Sequence, residues 1–445
     1  METKKKGLLS ALIALVFCSM AVAQETDGVI ESLQSDNEIA KRLKISGYVQ
    51  MQYQHADTAG ISSMAGGSFS SGIDNRFAVR RGRVKVAYTY ENALAVMQID
   101  ITEKGVGIKD AYLSLTDPWL NTLSLTGGVF DRPFGYEISY SSSSRETPER
   151  SRIFQTLFPG ERDLGGKLSV QAPKTSNWNF LKLDIGLING NGTNVETDSY
   201  KDFVAHLSAT RASKDEKLKW GVGGSYYKGG FATTTTNVYS VKDVDGVQAF
   251  VAETVKKGDQ VNREYIGIDG QIGYDWGLGI TQVRAEYLTG VQPATASSSS
   301  SLTAANVSSV STTDLTTGKV TTSNAGVDVY SRAFNGYYVY LIQTILQTPF
   351  QAVVKYDVYD PNTAVAGNQI GQTPTSGIAT GSSDIKYSTL GLGLNYRFNS
   401  NVKIMAYYDI VANETTSYIR KASTLADLSS DRKDNVFTLR LQYKF

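Results

Sequence analysis

The sequence predicts an all-β protein, a 16-stranded antiparallel transmembrane β-barrel, and three observations carry that prediction. Stretches of alternating apolar and polar residues recur sixteen times. The connections between them alternate between long and short. The chain opens on a segment with the layout of a secretory signal.

At the N-terminus, Lys4, Lys5 and Lys6 precede an apolar stretch from Leu8 to Met20, and Ala21-Val22-Ala23 stands before Gln24. A basic start, a short apolar core and a small-residue cleavage site define an export signal. The apolar stretch is shorter than the roughly 20 residues a spanning helix needs. Residues 1–23 are therefore expected to be a signal peptide, residues 24–43 a polar periplasmic lead-in, and residues 44–445 the barrel. Removal of the signal takes away three Lys and one Glu, which moves the formal net charge from +1 to −1. That balance argues against a nucleic-acid partner. The one cysteine, Cys18, leaves with the signal. The mature chain then has no disulfide and no thiolate metal site.

The strand segments are 44–54, 77–90, 93–102, 108–116, 123–131, 165–172, 179–189, 202–211, 218–228, 263–275, 279–289, 334–345, 350–359, 386–398, 402–412 and 435–445. Most are close to the about 9–11 residues a tilted strand needs to cross a bilayer. Abundant Gly (41) and Tyr (26) with scarce Pro (9) suits such strands and polar loops. The last segment shows the pattern best. Phe437, Leu439, Leu441, Tyr443 and Phe445 alternate with Thr438, Arg440, Gln442 and Lys444. Side chains on a strand alternate faces, so one face is greasy and the other polar.

The odd connections include 55–76, 132–164, 229–262, 290–333, 360–385 and 413–434, all long and rich in Ser, Thr, Gly and Asp. The even ones, such as Glu91-Asn92, 276–278 and 399–401, are all short. Bacterial outer-membrane barrels have short periplasmic turns, long external loops and an even strand number. Ala333 to Val354 carries no charge, but Asn335, Gly336, Gln343, Gln347 and Pro349 argue for two strands and a turn. Alternation is poor there, so that wall is expected to be covered on both faces, by a subunit contact or by an infolded loop. Tyr88, Tyr90, Tyr226, Tyr227, Tyr407, Tyr408, Tyr443 and Phe445 are expected at the membrane rims. The strand propensity of Tyr accounts for them as well.

A barrel of sixteen strands leaves an aqueous lumen. Taken at face value, the alternation points eleven basic residues inward against seven acidic ones. Arg81, Arg83 and Lys85 stand in one row on the second strand. Rows of Arg and Lys build anion pores, and ordinary pore walls also set basic rows against acidic ones. The loop 132–164 holds Phe134, Tyr136, Tyr140, Phe154 and Phe158, too many aromatics for a free surface loop. As the third external loop it is expected to fold into the barrel, which would bring Arg145, Arg150 and Arg162 to a constriction. A rigid external loop held by ion pairs is the alternative.

Four blocks then stand in order: Phe77-Ala-Val-Arg-Arg-Gly-Arg-Val-Lys-Val86, Ile108-Lys-Asp-Ala-Tyr-Leu113, Phe130-Asp-Arg-Pro-Phe-Gly135 and Leu157-Phe-Pro-Gly-Glu-Arg-Asp-Leu-Gly165. The chain resembles, in these blocks, the porin O and porin P family of phosphate-selective outer-membrane porins. The resemblance implies a homotrimer of 16-stranded barrels with an inward third loop and lumenal Arg and Lys that hold phosphate. It makes Arg81, Arg83, Lys85 and Arg132 candidate anion contacts and places Lys109 and Asp110 near the constriction. The loop's own acids depart from strict phosphate selectivity. The terminal Phe445 resembles the barrel-assembly signal of outer-membrane proteins.

The expected function is passive diffusion of small hydrophilic solutes, with small anions such as phosphate and the outer-membrane lipid as partners. A weakly selective general porin is the runner-up. A receptor or adhesin that uses the long external loops is the reading of another class. No enzyme and no cofactor is expected. His55 and His206 lie on different segments, and no G-x-S-x-G, P-loop or complete G-x-G-x-x-G is present.

Overall fold

The computed structural model describes residues 41–303, 309–313, 320–324, 326–420, 423 and 425–445. The expected signal 1–23 and nearly all of the lead-in 24–43 lie outside the described residues. The barrel strands are numbered here in chain order. The first eight are β1 (Leu43–Ala56), β2 (Asn75–Tyr90), β3 (Ala93–Thr102), β4 (Gly105–Thr116), β5 (Leu123–Asp131), β6 (Arg162–Gln171), β7 (Leu181–Ile188) and β8 (Asp202–Ala212). The next four are β9 (Leu218–Ala232), β10 (Gln260–Trp276), β11 (Gly279–Ala294) and β12 (Val329–Thr344). The last are β13 (Phe350–Asp360), β14 (Tyr387–Arg397), β15 (Val402–Asn413) and β16 (Val436–Lys444). Each pairs antiparallel with the next. β16 then pairs with β1, from Tyr48↔Lys444 to Ala56↔Val436, and closes the barrel.

All sixteen expected segments are barrel strands. Several reach further on the long-loop side than the alternation indicated, as β9 to Ala232 and β12 from Val329. Beyond the apolar belt nothing demands one greasy face, so the period fades while the ladder continues. The stretch 229–262 is not all loop. Asn237–Val244 and Val247–Thr254 form a hairpin, and Val238–Ser240 runs parallel to the start of β12. Its turn is Asp245-Gly246, both with positive φ (55° and 82°), the pair that a two-residue hairpin turn favours.

The barrel is inside out relative to a soluble protein. On β1, Tyr48, Gln50, Gln52 and Gln54 are buried, whereas Ile45, Val49 and Met51 are exposed. On β16, Thr438, Arg440 and Gln442 are buried while Leu439, Leu441 and Tyr443 are exposed. An exposed apolar belt of this kind suits lipid, not water. Among the described residues no helix is long and apolar enough to cross a membrane.

The connection from β5 to β6 enters the barrel. Its helix α1 (Arg152–Leu157) buries Ile153, Phe154 and Leu157. Phe134, Phe154 and Phe158 pack there with Tyr227, Tyr265, Phe334 and Tyr338 in one core. The poor alternation of 333–354 follows from this packing. Tyr338, Tyr340 and Ile342 lie under the infolded loop, while Tyr337, Val339 and Leu341 face outward. The same packing corrects the rim expectation for two tyrosines. Tyr227 and Tyr407 are buried inside, because in each Tyr-Tyr pair the alternation turns one ring inward. Tyr407 lies over Gly391 and Gly393, where an added Cβ would run into its hydroxyl and its ring. Gly135, at φ +62°, lets the loop turn against the Glu286 carboxylate, 2.3 Å from where a Cβ would stand.

Candidate functional site: the ionic face of the inward loop

Two β-bulges set the wall opposite the loop. In β2 the register slips between Gln50↔Arg81 and Met51↔Val79, so Arg80 is an extra residue. In β4 it slips between Gln98↔Asp110 and Ile99↔Ile108, which makes Lys109 the extra residue. A bulge aims two consecutive side chains to one side. Arg80 with Arg81, and Lys109 with Asp110, thus all turn toward the loop.

The loop answers with two carboxylates, each held by three cations. Glu149 accepts two hydrogen bonds of 2.7 Å from Arg80, one from Arg81 at 3.2 Å and one from Arg440 at 3.2 Å. Glu161 accepts hydrogen bonds from Lys109 Nζ at 2.6 Å and Arg162 Nη1 at 3.0 Å, and pairs with Arg150. Burial opposes both charges. Arg80, Arg81 and Arg440 override it at Glu149, as Arg150, Lys109 and Arg162 do at Glu161, so both carboxyls stay well below the usual carboxylate range. Paired charges of this kind satisfy one another when several hydrogen bonds converge.

The remaining contacts tie the same loop face to the wall. Arg83 donates to Asp100 at 3.0 Å and to Ser142 Oγ at 3.3 Å. Arg162 donates to Asp110 at 2.8 Å. Tyr48 Oη lies 2.5 Å from Ser142 Oγ, and Gln442 donates to the Ser143 carbonyl at 2.9 Å. Arg150 holds the loop's own turn through the Glu137 and Ile138 carbonyls.

Water-sized space lies on both sides of this ionic layer. A cavity of about 240 Å³ on the long-loop side is lined by Arg76, Arg80, Lys104 and Glu149. One of about 320 Å³ on the other side is lined by Arg83, Lys85, Asp110, Arg150, Arg162 and Lys444. It shares Tyr112 and Asp131 with a cavity of about 450 Å³ that carries Lys167, Lys174 and Lys182. Among the described residues, Lys85 and Lys444 have no carboxylate within ion-pair distance, so their amines are open to solute.

The structure therefore brings together Arg81, Arg83, Lys85, Lys109, Asp110, Arg150 and Arg162. Arg132 and Arg145 stand apart. Arg132 is buried on Asp163 at 2.9 Å, and its guanidinium carbon lies 5.9 Å from the centre of the Phe158 ring. Arg145 lines none of these cavities. Sequence reasoning passed over Arg80 and Arg440. The alternation turns Arg440 inward but ties it to no anion. Arg80 could have been found, because the apolar positions change parity around it, from Phe77 and Val79 to Val84 and Val86. Such a switch marks an inserted residue. Among the described residues no group of three His, Cys, Asp or Glu side chains could hold a metal ion.

No protein-family model matches the sequence, and no curated protein matches it. Solved structures do resemble the fold. The anion-selective porin from Comamonas acidovorans superposes with a TM-score of 0.50 at 11% identity, over 91% of this chain and 99% of that one. The outer membrane channel DcaP of Acinetobacter baumannii gives 0.50 at 12% identity, over 91% and 97%. At such identity the likeness shows the fold alone, a closed 16-stranded porin-type barrel.

Proposed function

We propose that this chain is a porin of the bacterial outer membrane that lets small hydrophilic solutes diffuse through its lumen, with a preference for anions. The observation that carries the reading is the wall facing the loop. Six cations, Arg80, Arg81, Arg440, Lys109, Arg150 and Arg162, surround two carboxylates there, and unpaired Lys85 and Lys444 follow on the inner side. Inward rows of Arg and Lys favour anions. The porin-type fold, the exposed apolar belt and the expected export signal support the outer membrane as its place.

Phosphate selectivity and a homotrimer extend this proposal. A general porin with little ion preference is the second reading, and one observation favours it. Arg80, Arg81, Arg83, Arg150 and Arg162 each already meet a carboxylate.

The test is single-channel current in a planar bilayer across a potassium chloride gradient, followed by added phosphate. A reversal potential on the anion side supports the main reading. Block of chloride current by low phosphate adds phosphate binding. The double variant Arg81→Ser, Arg83→Ser is expected to lower the anion preference, and unchanged selectivity would remove those two residues from the reading. Stable steps with no ion preference mean the general porin. No channels from folded protein would sink both. For the trimer, unheated detergent samples should migrate as an oligomer that boiling dissociates.

A further inference from the structure

Arg145 sits on the inward loop where its backbone is fastened to the wall. Lys403 Nζ donates to the Arg145 carbonyl at 2.8 Å, and Asn395 Nδ2 donates to the Glu146 carbonyl at 3.0 Å. The side chain is 2% exposed. Its Nε, Nη1 and Nη2 are all buried, and none has a hydrogen-bond partner among the described residues. A guanidinium carries five N–H donors and does not lose its proton in proteins. A buried charge left without partners is among the costliest arrangements a fold can keep.

The neighbours make the deficit worse. Burial and then the charge of Arg145 push the Arg150 guanidinium down to about 9. The charge of Arg145 also acts on Arg81 and Lys403. Of the nearby acids, Glu146 is held by Arg284 at 2.9 and 3.1 Å, Glu149 by Arg80, Arg81 and Arg440, and Glu137 by the Ser151 N–H and the Tyr340 hydroxyl. Among the described residues no carboxylate hydrogen-bonds the Arg145 guanidinium.

We propose that a small inorganic anion, of chloride size, binds at the Arg145 guanidinium, sealed between the inward loop and the barrel wall, and pins the loop there. Access limits the size of the ion. The Arg145 nitrogens are closed off from solvent, so a hydrated oxyanion in transit does not reach them. A bare chloride ion is larger than a buried water but much smaller than a phosphate or sulfate. Tyr407 Oη and Asn395 Oδ1 on the barrel wall are also buried without partners. The proposal does not rest on the permeation reading, because the ion is a fixture and not a solute.

The experiment is diffraction from crystals of the whole folded protein grown in sodium bromide. An anomalous bromide peak in hydrogen-bond contact with the Arg145 nitrogens is expected, and its absence overturns the site. A solution measurement runs beside it. The urea midpoint of the detergent-folded barrel should be higher in sodium chloride than in sodium gluconate at equal ionic strength, since an ion bound only by the folded state stabilises it. Arg145→Met should lose that difference and leave the reversal potential unchanged. A chloride-independent midpoint in the wild type overturns the proposal. So does a fall in anion preference in Arg145→Met, which would put the residue in the permeation path. Should Arg145→Met not fold, the bromide map and the wild-type midpoints decide without it.

Discussion

On one flank of the inward loop, Phe134, Phe154 and Phe158 pack against Tyr227, Tyr265, Phe334 and Tyr338. On the other, Glu149 and Glu161 meet Arg80, Arg81, Arg440, Lys109, Arg150 and Arg162. The apolar flank gains free energy with the area it removes from water, largely regardless of direction. The ionic flank loses much of its Coulomb attraction to desolvation, so it adds direction and charge more than stability. On the proposed function, the contrast assigns anchoring to the aromatic flank and selectivity to the ionic one.

The largest effect should come from the aromatic side. Phe154 is fully buried and stacks with Phe158 at 5.9 Å between ring centres. Phe154→Ala should cost about 3–5 kcal/mol, as large-to-small core changes do. A lower urea midpoint with the reversal potential unchanged is the expected pair of results. If selectivity moved as far as stability, the two flanks would not be separable.

Glu149→Gln attacks the other flank. It leaves Arg80, Arg81 and Arg440 around a neutral amide, and should cost about 1–3 kcal/mol. Three guanidinium groups would then face the lumen without their shared carboxylate. The reversal potential should shift further toward the anion side. A shift toward the cation side would contradict the assignment of these arginines to the anion path.

Acid separates the ionic flank from the connection that precedes β16. The Glu149 and Glu161 pKa values are depressed in the folded state, so their contribution is present above the ordinary carboxylate range near pH ~4 and is lost as pH falls through the depressed values. Asp434, in the connection before β16, behaves the opposite way. Burial raises it to about 6 against the pull of Arg152 and Arg432. A raised carboxyl stabilises the fold when protonated, so stability should rise slightly as pH falls from about 7 to 5 and drop below about 4. The urea midpoint against pH checks both limbs, and Asp434→Asn should flatten the first while keeping the second.

How much of this was legible differs between the flanks. The sixteen strands could be read because lipid outside and water inside force a period of two. The aromatic flank announced itself through Phe134, Phe154 and Phe158 in a loop that would gain nothing from exposing them. The ionic flank could be read only in part. Arg81 and Arg83 follow from alternation, but Arg80 and Lys109 turn inward through bulges, and the period breaks where a bulge stands. Which loop carboxylate meets which arginine depends on how residues 132–161 cross the lumen. Contacts between Glu149 and Arg440, 291 positions apart, leave no trace in a local pattern. Arg145 shows the same limit. Its sequence neighbours do not distinguish a pore cation from one sealed behind the loop.

The smallest effect tests whether charge alone, without pairing, tunes the pore. Lys85 lines the inner cavity beside Arg83 and Lys444. Its amine holds no carboxylate and no strand, so Lys85→Gln should leave the urea midpoint within about 0.5 kcal/mol of the parent, as for substitutions away from packed or paired features. The anion preference should still fall, by less than in the double variant Arg81→Ser, Arg83→Ser, because a lone amine facing water is screened over a Debye length of about 8 Å at physiological salt. The loss should therefore be largest at low salt and shrink as salt rises. A reversal potential that Lys85→Gln leaves unchanged even at low salt would confine selectivity to the ionic layer itself, where loop and wall touch.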